Sequence, residues 1–317
     1  MTFGIYQPGC YRLPQHIYHA DPAPGPSLSR SVAHTLLERS PRHARLEHPR
    51  LNPDQQPVQR ADFDLGSAAH TLVLGDDWRF RFIDAANYQT KAAKQARDEA
   101  REHGQIPVLP HQWEQVQAMA RACRAQLDHH EDAWAAFRPG HGTPELTFLW
   151  REAGVWIRDM IDWVADPAAG EIVFEYKTTN ASAHPDAWGK RQLYDTGAYL
   201  QAAWHARALE QVADRTVRVA FVVQETTPPY ALAVIELDPQ AQAYAEGQMH
   251  RAFSQWAWCF KHDRWPGYPA RTCHVELPPW KAREVQDQEA VEQLARDQDD
   301  RSLLQKSMDW QAPLEIA

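Results

Sequence analysis

The chain has 317 residues, of which 44% are hydrophobic and 24% are charged, and its formal net charge is −9. This length allows one large domain or two small ones with a sizeable core, and the composition is ordinary for a soluble globular protein. No apolar run approaches the roughly 20 residues of a membrane span, and the N-terminus lacks the basic-then-apolar layout of a signal peptide.

The cysteines are far apart in the sequence and show no CxxC spacing: Cys10, Cys123, Cys259 and Cys273. Such spacing argues against a zinc or iron–sulfur site. It is typical of reduced thiols in the cytosol, so we expect a cytoplasmic protein that makes no contact with a membrane.

Charge is distributed unevenly along the chain. Residues 28–60 contain six arginines against three acids, whereas residues 281–317 contain nine acids against five bases. A local basic arm can bind phosphate on an acidic protein because salt confines surface fields to about 8–10 Å. The same arm is equally consistent with a solvated helix-and-loop face.

Proline and glycine punctuate residues 1–27, which predicts an extended or looped start. Ser29 or Ser31 can cap a helix that runs from Ala33 to Ser40. The spacing of apolar residues predicts further helices over residues 64–74, 90–103 and 111–137.

The apolar period then changes to that of strands. Strands are predicted over residues 145–150, 155–164, 171–177, 217–224 and 231–237. Helices are predicted over residues 186–212 and 239–260. This order predicts a mixed α/β (α+β) fold with a central mixed sheet flanked by helices.

We expect a single domain over residues 1–280, with a helical N-terminal part at 28–137 and a catalytic sheet core at 144–260. The acidic tail, residues 281–317, is open to three readings: a helix, a mobile segment or a partner-binding element.

Charged residues at the ends of two neighbouring predicted strands suggest a catalytic site. Asp162 ends one apolar run, and after a Pro-Gly turn a second run ends in Glu175-Tyr176-Lys177. In a hairpin the two carboxylates project into one space, and Lys177 shares a strand face with Glu175. Carboxylates bind a hard divalent cation, and an ammonium can meet attacking water or phosphate charge. Alone, this pattern arises by chance in many chains.

Further candidates lie on the neighbouring elements. Glu145 falls on an adjacent predicted strand, and His70 on a predicted helix is either a packed or surface histidine or a metal ligand. Four polar residues share one stripe of the predicted helix 186–212: Lys190, Tyr194, Gln201 and His205. The stripe suits a wall that orients substrate, or simply the wet side of an amphipathic helix.

Several short motifs follow one another in a fixed order. They are Gly66-Ser-Ala-Ala-His70, Pro144-Glu145, Ile157-Arg158 to Asp162, Phe174-Glu175-Tyr176-Lys177-Thr-Thr, and Tyr199-Leu-Gln201-Ala-Ala-Trp204. Upstream come Tyr18-His-Ala-Asp21, Leu28-Ser-Arg-Ser31 and Ser40-Pro41. Over roughly residues 15–265 the series resembles the PD-(D/E)xK nuclease superfamily and, within it, phage and prophage exonucleases related to RecE and lambda exonuclease.

The resemblance implies a restriction-endonuclease-like core and a 5′-to-3′ exonuclease that uses one or two Mg²⁺ or Mn²⁺ ions. Its partners would be linear double-stranded DNA and a single-strand annealing protein of phage recombination. It would form a homo-oligomeric ring, a trimer in preference to a tetramer. The alternatives are a structure- or site-specific endonuclease on the same fold and an inactive recombination scaffold.

The resemblance also assigns roles to individual residues. The implied metal ligands are Asp162, Glu175, the carbonyl of Tyr176 and His70. The implied catalytic set is Lys177, Glu175, Asp162, Glu145 and Gln201. The implied contacts to DNA and its 5′-phosphate are Ser31, Arg30, Arg42 and Tyr194. The chain departs from the pattern at Glu175, which replaces an aspartate, and at His205, which stands where the helix motif has tyrosine.

Overall fold

The computed structural model describes residues 7–52, 54, 65–75, 79–131, 136–297 and 305. Arg60 of the basic arm, residue 64 of the second predicted helix and most of the tail beyond 297 lie outside them. The chain divides into two compact units, Met1–Tyr268 and Pro269–Ala317. No helix in the described part of the chain is long and apolar enough to cross a membrane.

The strands pair into a main sheet and a small separate one. In chain order they are β1 (Gly9–Arg12), β2 (Ser27–Ser29), β3 (Phe80–Phe82), β4 (Ile106–Val108), β5 (Gly142–Glu152), β6 (Val155–Ala165), β7 (Ile172–Thr179), β8 (Arg218–Glu225) and β9 (Leu232–Glu236). The main sheet has the order β1-β5-β6-β7-β8-β9 with β2 beside β6, while β3 pairs with β4. Because β2–β6 and β7–β8 are parallel and the other pairs of the main sheet antiparallel, the predicted mixed sheet is confirmed.

Several helices begin after a residue whose side chain accepts a hydrogen bond from the first turn. The helices are α1 (Gln15–His19), α2 (Arg30–Glu38), α3 (Pro41–Glu47), α4 (Leu65–Leu74), α5 (Lys91–Glu102), α6 (Pro110–Leu127), α7 (Pro185–Lys190), α8 (Gln192–Asp195), α9 (Ala198–Ala213), α10 (Pro239–His262) and α11 (Pro279–Asp297). Ser29 caps α2 by accepting a hydrogen bond from Val32, which selects one of the two predicted caps. In the second unit, α11 makes the start of the tail helical.

Two hydrophobic cores cover the two faces of the main sheet. Helices α2, α9 and α10 pack on one face, against side chains that include Val173 and Phe221. Helices α4 and α6 pack on the other, against Phe174 and Val222 among others. Successive residues of a strand point to opposite faces, so both faces of β7 and β8 are buried by helices.

Two predicted helices were wrong in extent. In residues 1–27, β1 agrees with the predicted extended start, whereas α1 was not predicted. The helix predicted over 111–137 ends at Leu127, because the next four residues, Asp-His-His-Glu, offer no apolar side chain to bury.

The helix predicted over 186–212 is divided into α7, α8 and α9. Gly197 has φ 70° before α9, and a Cβ there would come within 2.5 Å of the ring of His34. A left-handed residue ends the helical path, so the predicted single stripe is wrong. Lys190 lies on α7 and Tyr194 on α8, apart from Gln201 and His205 on α9.

Candidate active site

The main sheet forks between β6 and β7. Although both strands are long, their ladder has only two residue pairs, Trp163 with Phe174 and Val164 with Val173. The parallel strand β2 pairs with β6 from Trp156 to Arg158. Since β5 occupies the other edge of β6 along its whole length, β2 takes the edge that β7 leaves.

Asp162 and Glu175 stand at the branch point, where the next ladder pair would fall. The backbone N–H of Tyr176 donates to Asp162 Oδ2 at 3.0 Å, and the N–H of Asp162 donates to Glu175 Oε2 at 3.5 Å. Carboxylates here accept the bonds that backbone carbonyls would take in a continued ladder. Where these carboxylates accept in place of backbone carbonyls, the strands separate and the two acids come together, as the hairpin pattern predicts.

Glu175 is held by donors on every side. Lys177 Nζ donates to its Oε1 at 2.8 Å, and Gln201 Nε2 donates to the same oxygen. His205 Nε2 binds Oε2 at 3.0 Å. Burial acts to raise the pKa of Glu175, but the charge of Lys177 and the hydrogen bond from His205 hold that pKa well below its ordinary value.

His205 bridges two buried acids. Its Nδ1 lies 2.6 Å from Asp159 Oδ2, and its side chain is fully buried. Ionised carboxylates can only accept hydrogen bonds, so both ring nitrogens donate and the ring is an imidazolium. Burial acts to lower the pKa of His205, but the charges and hydrogen bonds of Asp159 and Glu175 raise it to about 10.

Helix α4 contributes His70 on the other side of the fork. Its Nε2 lies 3.0 Å from Asp162 Oδ2. Burial acts to lower the pKa of His70, but the nearby charge of Asp162 and their hydrogen bond outweigh it, so the pKa is raised above 6.5. The structure therefore places His70, an implied metal ligand, beside Asp162, which the resemblance assigns to the same metal site.

Glu145 lies on β5 in register with Asp162, between the pairs Pro144–Trp163 and Leu146–Ile161. Its φ of 51° interrupts the strand locally. Gln15 Nε2 donates to Glu145 Oε1 at 2.6 Å, and Arg79 Nη1 lies 3.7 Å from the same oxygen. Glu145 thus borders the fork, opposite Asp162.

The residues predicted to bind the 5′-phosphate separate into two locations. Arg30 and Ser31 begin α2 directly after β2; Arg30 Nη1 donates to Thr196 O at 3.2 Å, and Ser31 Oγ lies 3.2 Å from Ser29 Oγ. Arg42 instead donates its backbone N–H to Pro266 O at 3.1 Å.

Tyr194 packs in an aromatic group with Tyr199 and Tyr244, at ring-centroid distances of 5.5 and 6.2 Å. It is 40% exposed. Among the described residues, the rings that pack against Tyr194 are those of Tyr199 and Tyr244.

The donor chemistry of the fork fits a hard divalent cation, which prefers oxygen ligands. Asp162 and Glu175 supply carboxylates. Gln201 Oε1 is buried and, among the described residues, has no hydrogen-bond partner. The described side chains include no group of three His, Cys, Asp or Glu arranged to hold a metal, because Asp162 turns to His70 and the Tyr176 N–H while Glu175 turns to Lys177 and α9.

Residues 36–276 match the model of a family described as "PDDEXK-like domain of unknown function (DUF3799)". The chain belongs to this family. Membership confirms the predicted PD-(D/E)xK superfamily and its fold, while the narrower likeness to RecE-like and lambda-like exonucleases stays a prediction. In this PDDEXK-like chain the Asp, Glu and Lys at the fork are Asp162, Glu175 and Lys177.

A comparison with curated proteins finds no match. Among solved structures, a protein from Eubacterium rectale described as a candidate exonuclease is similar over 80% of this chain and 90% of its own. The identity is 10% and the TM-score 0.48. Similarity at this level says nothing about the activity of the PDDEXK-like chain.

The sequence analysis assigned no role to Asp159, to Tyr18 or to the residues around Glu145. Asp159 sits inside an apolar strand, three residues before Asp162, and the signal that could have found it is a charge at a position with buried neighbours. Tyr18 stacks under Arg158, whose guanidinium carbon lies 5.5 Å from the ring centroid. Gln15 and Arg79 carry no local pattern that points to Glu145.

Proposed function

We propose that this PDDEXK-like protein is a metal-dependent nuclease that hydrolyses phosphodiester bonds of DNA at the fork between β6 and β7. One observation carries the proposal. Two strands that separate at the same level bring Asp162 and Glu175 together, with the ammonium of Lys177 2.8 Å from Glu175. Paired carboxylates beside a lysine are the minimal equipment for this chemistry.

Asp162 and Glu175, with the carbonyl of Tyr176, would hold one or two Mg²⁺ or Mn²⁺ ions. Such an ion polarises the phosphate and lowers the pKa of attacking water. Lys177 meets the negative charge that develops on the phosphate, an electrostatic contribution that acts on the transition state. His70 steadies Asp162 through its hydrogen bond, and Gln201 orients Glu175.

The finer proposal is a 5′-to-3′ exonuclease on linear duplex DNA. Arg30 and Ser31 open α2 on the edge of β6 that β7 leaves, and a helix N-terminus favours phosphate groups. Ser29, the residue before Arg30, pairs with Arg158 on β6, and Asp162 follows four residues further along the same strand. A terminal phosphate held at the start of α2 would therefore lie on the strand that carries Asp162.

The partners in this proposal are a single-strand annealing protein of phage-type recombination and further copies of the chain in a closed ring. Their support is the motif resemblance and the physical need of a processive enzyme to stay on its track. A ring that encircles DNA must load at an end. The acidic tail with α11 is the proposed contact for the annealing protein.

The decisive assay compares one duplex in linear, 5′-phosphorylated form with the same DNA closed into a circle. The exonuclease proposal predicts Mg²⁺-dependent loss of the linear form alone. Cutting of the circular DNA would contradict the exonuclease proposal and support the endonuclease alternative. Failure to cut either form with Mg²⁺ or Mn²⁺ would reject nuclease activity and favour the recombination scaffold.

A further inference from the structure

One face of α9 grips both oxygens of Glu175. Gln201 and His205 are one helical turn apart, so their side chains lie on the same side of the helix. Gln201 Nε2 donates to Oε1, and His205 Nε2 donates to Oε2 at 3.0 Å. Gly197 is the N-cap of α9, one helical turn before Gln201. The start of the helix at Gly197 therefore determines where Gln201 and His205 lie relative to Glu175.

The far side of His205 is fixed as well. Asp159 Oδ2 lies 2.6 Å from Nδ1, and the side chains of His205 and Asp159 are 0% and 3% exposed. Asp159 itself lies on β6, the strand that also carries Asp162. The chain Asp159–His205–Glu175 therefore ties β6 to β7 through α9, across the gap where their ladder has stopped.

We propose that His205 and Asp159 are positioning residues that fix Glu175 for metal binding, with Asp159 acting only through His205. The inference rests on the proposed nuclease function and adds two residues to its machinery. Neither residue touches the substrate or the reacting atoms.

The physical reason is the crowding of negative charge at the fork. The backbone N–H of Asp162 donates to Glu175 Oε2 at 3.5 Å, so the two carboxylates belong to neighbouring residues across the fork, and like charges on neighbouring side chains repel each other. A carboxylate side chain free to rotate would turn away from its neighbour and lose the arrangement of two oxygens needed by a cation. The His205 ring is hydrogen-bonded at both nitrogens and cannot rotate without breaking both hydrogen bonds. It therefore holds Glu175 in one orientation.

A second histidine in the chain provides a matched control. His48 is also fully buried, and its Nε2 lies 3.3 Å from Asp21 Oδ2, which is likewise buried. Within the described residues, the ring of His48 contacts Ser27, Arg50, Asp21 and Trp256, and neither Glu175 nor Asp162. We call His205 and Asp159, as they hold Glu175, the clamp. A purely structural role for buried His–Asp pairs predicts the same effects of substitution at His48 and at His205. The clamp predicts that, of these two histidines, only substitution at His205 weakens metal binding.

The test uses the full chain with His205→Gln, Asp159→Asn, the double variant and His48→Gln. Mn²⁺ affinity is measured by titration calorimetry without DNA, and kcat and KM are measured on linear duplex DNA. Removing partners that orient metal ligands typically costs about 10–100-fold in metal affinity or activity. We expect a loss of this size in Mn²⁺ affinity and kcat for His205→Gln, with KM for DNA little changed.

Asp159→Asn should shift the same quantities by less, and in the His205→Gln background it should add nothing, because Asp159 acts through His205. His48→Gln should lower the thermal midpoint and leave Mn²⁺ affinity within about twofold, outside the range for lost orienting partners. Should His205→Gln fail to fold, Asp159→Asn alone carries the test: a selective loss of Mn²⁺ affinity supports the clamp, and unchanged affinity overturns it.

Two other results overturn the clamp. One is a folded His205→Gln protein with wild-type Mn²⁺ affinity and kcat; the other is an equal loss of affinity in His48→Gln. Wild-type protein that neither binds Mn²⁺ nor cuts DNA is a different failure, because it rejects the proposed function and the clamp with it.

Discussion

Removing the ammonium of Lys177 should slow catalysis greatly and leave the fold intact. Its Nζ lies 2.8 Å from Glu175 Oε1, where two unit charges attract by about 6 kcal/mol at an effective dielectric constant of about 20. Most of this attraction is offset by the desolvation of the two charges, because only 29% of the Lys177 side chain and 4% of the Glu175 side chain are exposed. Gln201 and His205 still hold Glu175, so we expect folding to lose about 1–2 kcal/mol.

The effect on the reaction should be larger, because the lysine acts on charge that exists only in the transition state. Loss of one such group typically costs about 10²–10³ in rate. Lys177→Ala and Lys177→Met should both show this loss in initial rates on linear DNA, with Lys94→Ala on the exposed face of α5 as the control. Rates for both Lys177 variants within about threefold of wild type would remove Lys177 from the mechanism.

Four further predictions concern the metal site, the phosphate site, the oligomeric state and the buried Asp21. Asp162→Ala should weaken Mn²⁺ binding in a calorimetric titration, since a carboxylate ligand is lost; unchanged affinity contradicts the assignment. Arg30→Ala should abolish a preference for 5′-phosphoryl over 5′-hydroxyl ends, whereas Arg42→Ala should retain it; the reverse result moves the phosphate site to α3. Light scattering should give a multiple of 36.3 kDa, and a monomer mass rejects the ring. Burial acts to raise the pKa of Asp21, but its hydrogen bond with His48, the charge of Arg158 and the hydrogen bonds of Ser27 lower that pKa below 3.8. The stability that Asp21 contributes is therefore present above pH 3.8 and is lost as the pH falls further, so the difference in melting temperature between wild type and Asp21→Asn should shrink there.

The sequence alone predicts the parts of the site that depend on local pattern. Period-two apolar residues predict β5 to β9, and a hairpin between two of them suffices to bring Asp162 and Glu175 together. Lys177 follows from the same strand, since residues two apart share a face. His70 could be assigned only by motif order, because nothing within its own helix points to Asp162.

The remaining contacts depend on how distant elements meet. Asp159 and His205 are 46 residues apart in the sequence. Their contact depends on where α9 begins, at Gly197, after the short helices α7 and α8. A single periodic helix over 186–212 would have given α9 a different direction. The position of Arg42 beside Pro266 likewise depends on the packing of α3 against the end of α10, which local propensity does not report.

Strand β6 is anchored by buried charge immediately before Asp162. Arg158 Nη1 lies 3.3 Å from Asp21 Oδ1 and donates to Ser27 Oγ at 2.8 Å. The adjacent Asp159 binds His205. Successive residues of a strand point to opposite faces, so the two ion pairs hold β6 from both sides.

Buried ion pairs of this kind often contribute less stability than well-packed apolar side chains of the same volume, because desolvation opposes them. Their use here is better explained by geometry than by stability. On the edge that β7 has left, β6 pairs only with the three residues of β2, and the directional contacts of Arg158 with Asp21 and Ser27 fix the register of β2 on β6. An aliphatic pair would fill the same space without fixing that register.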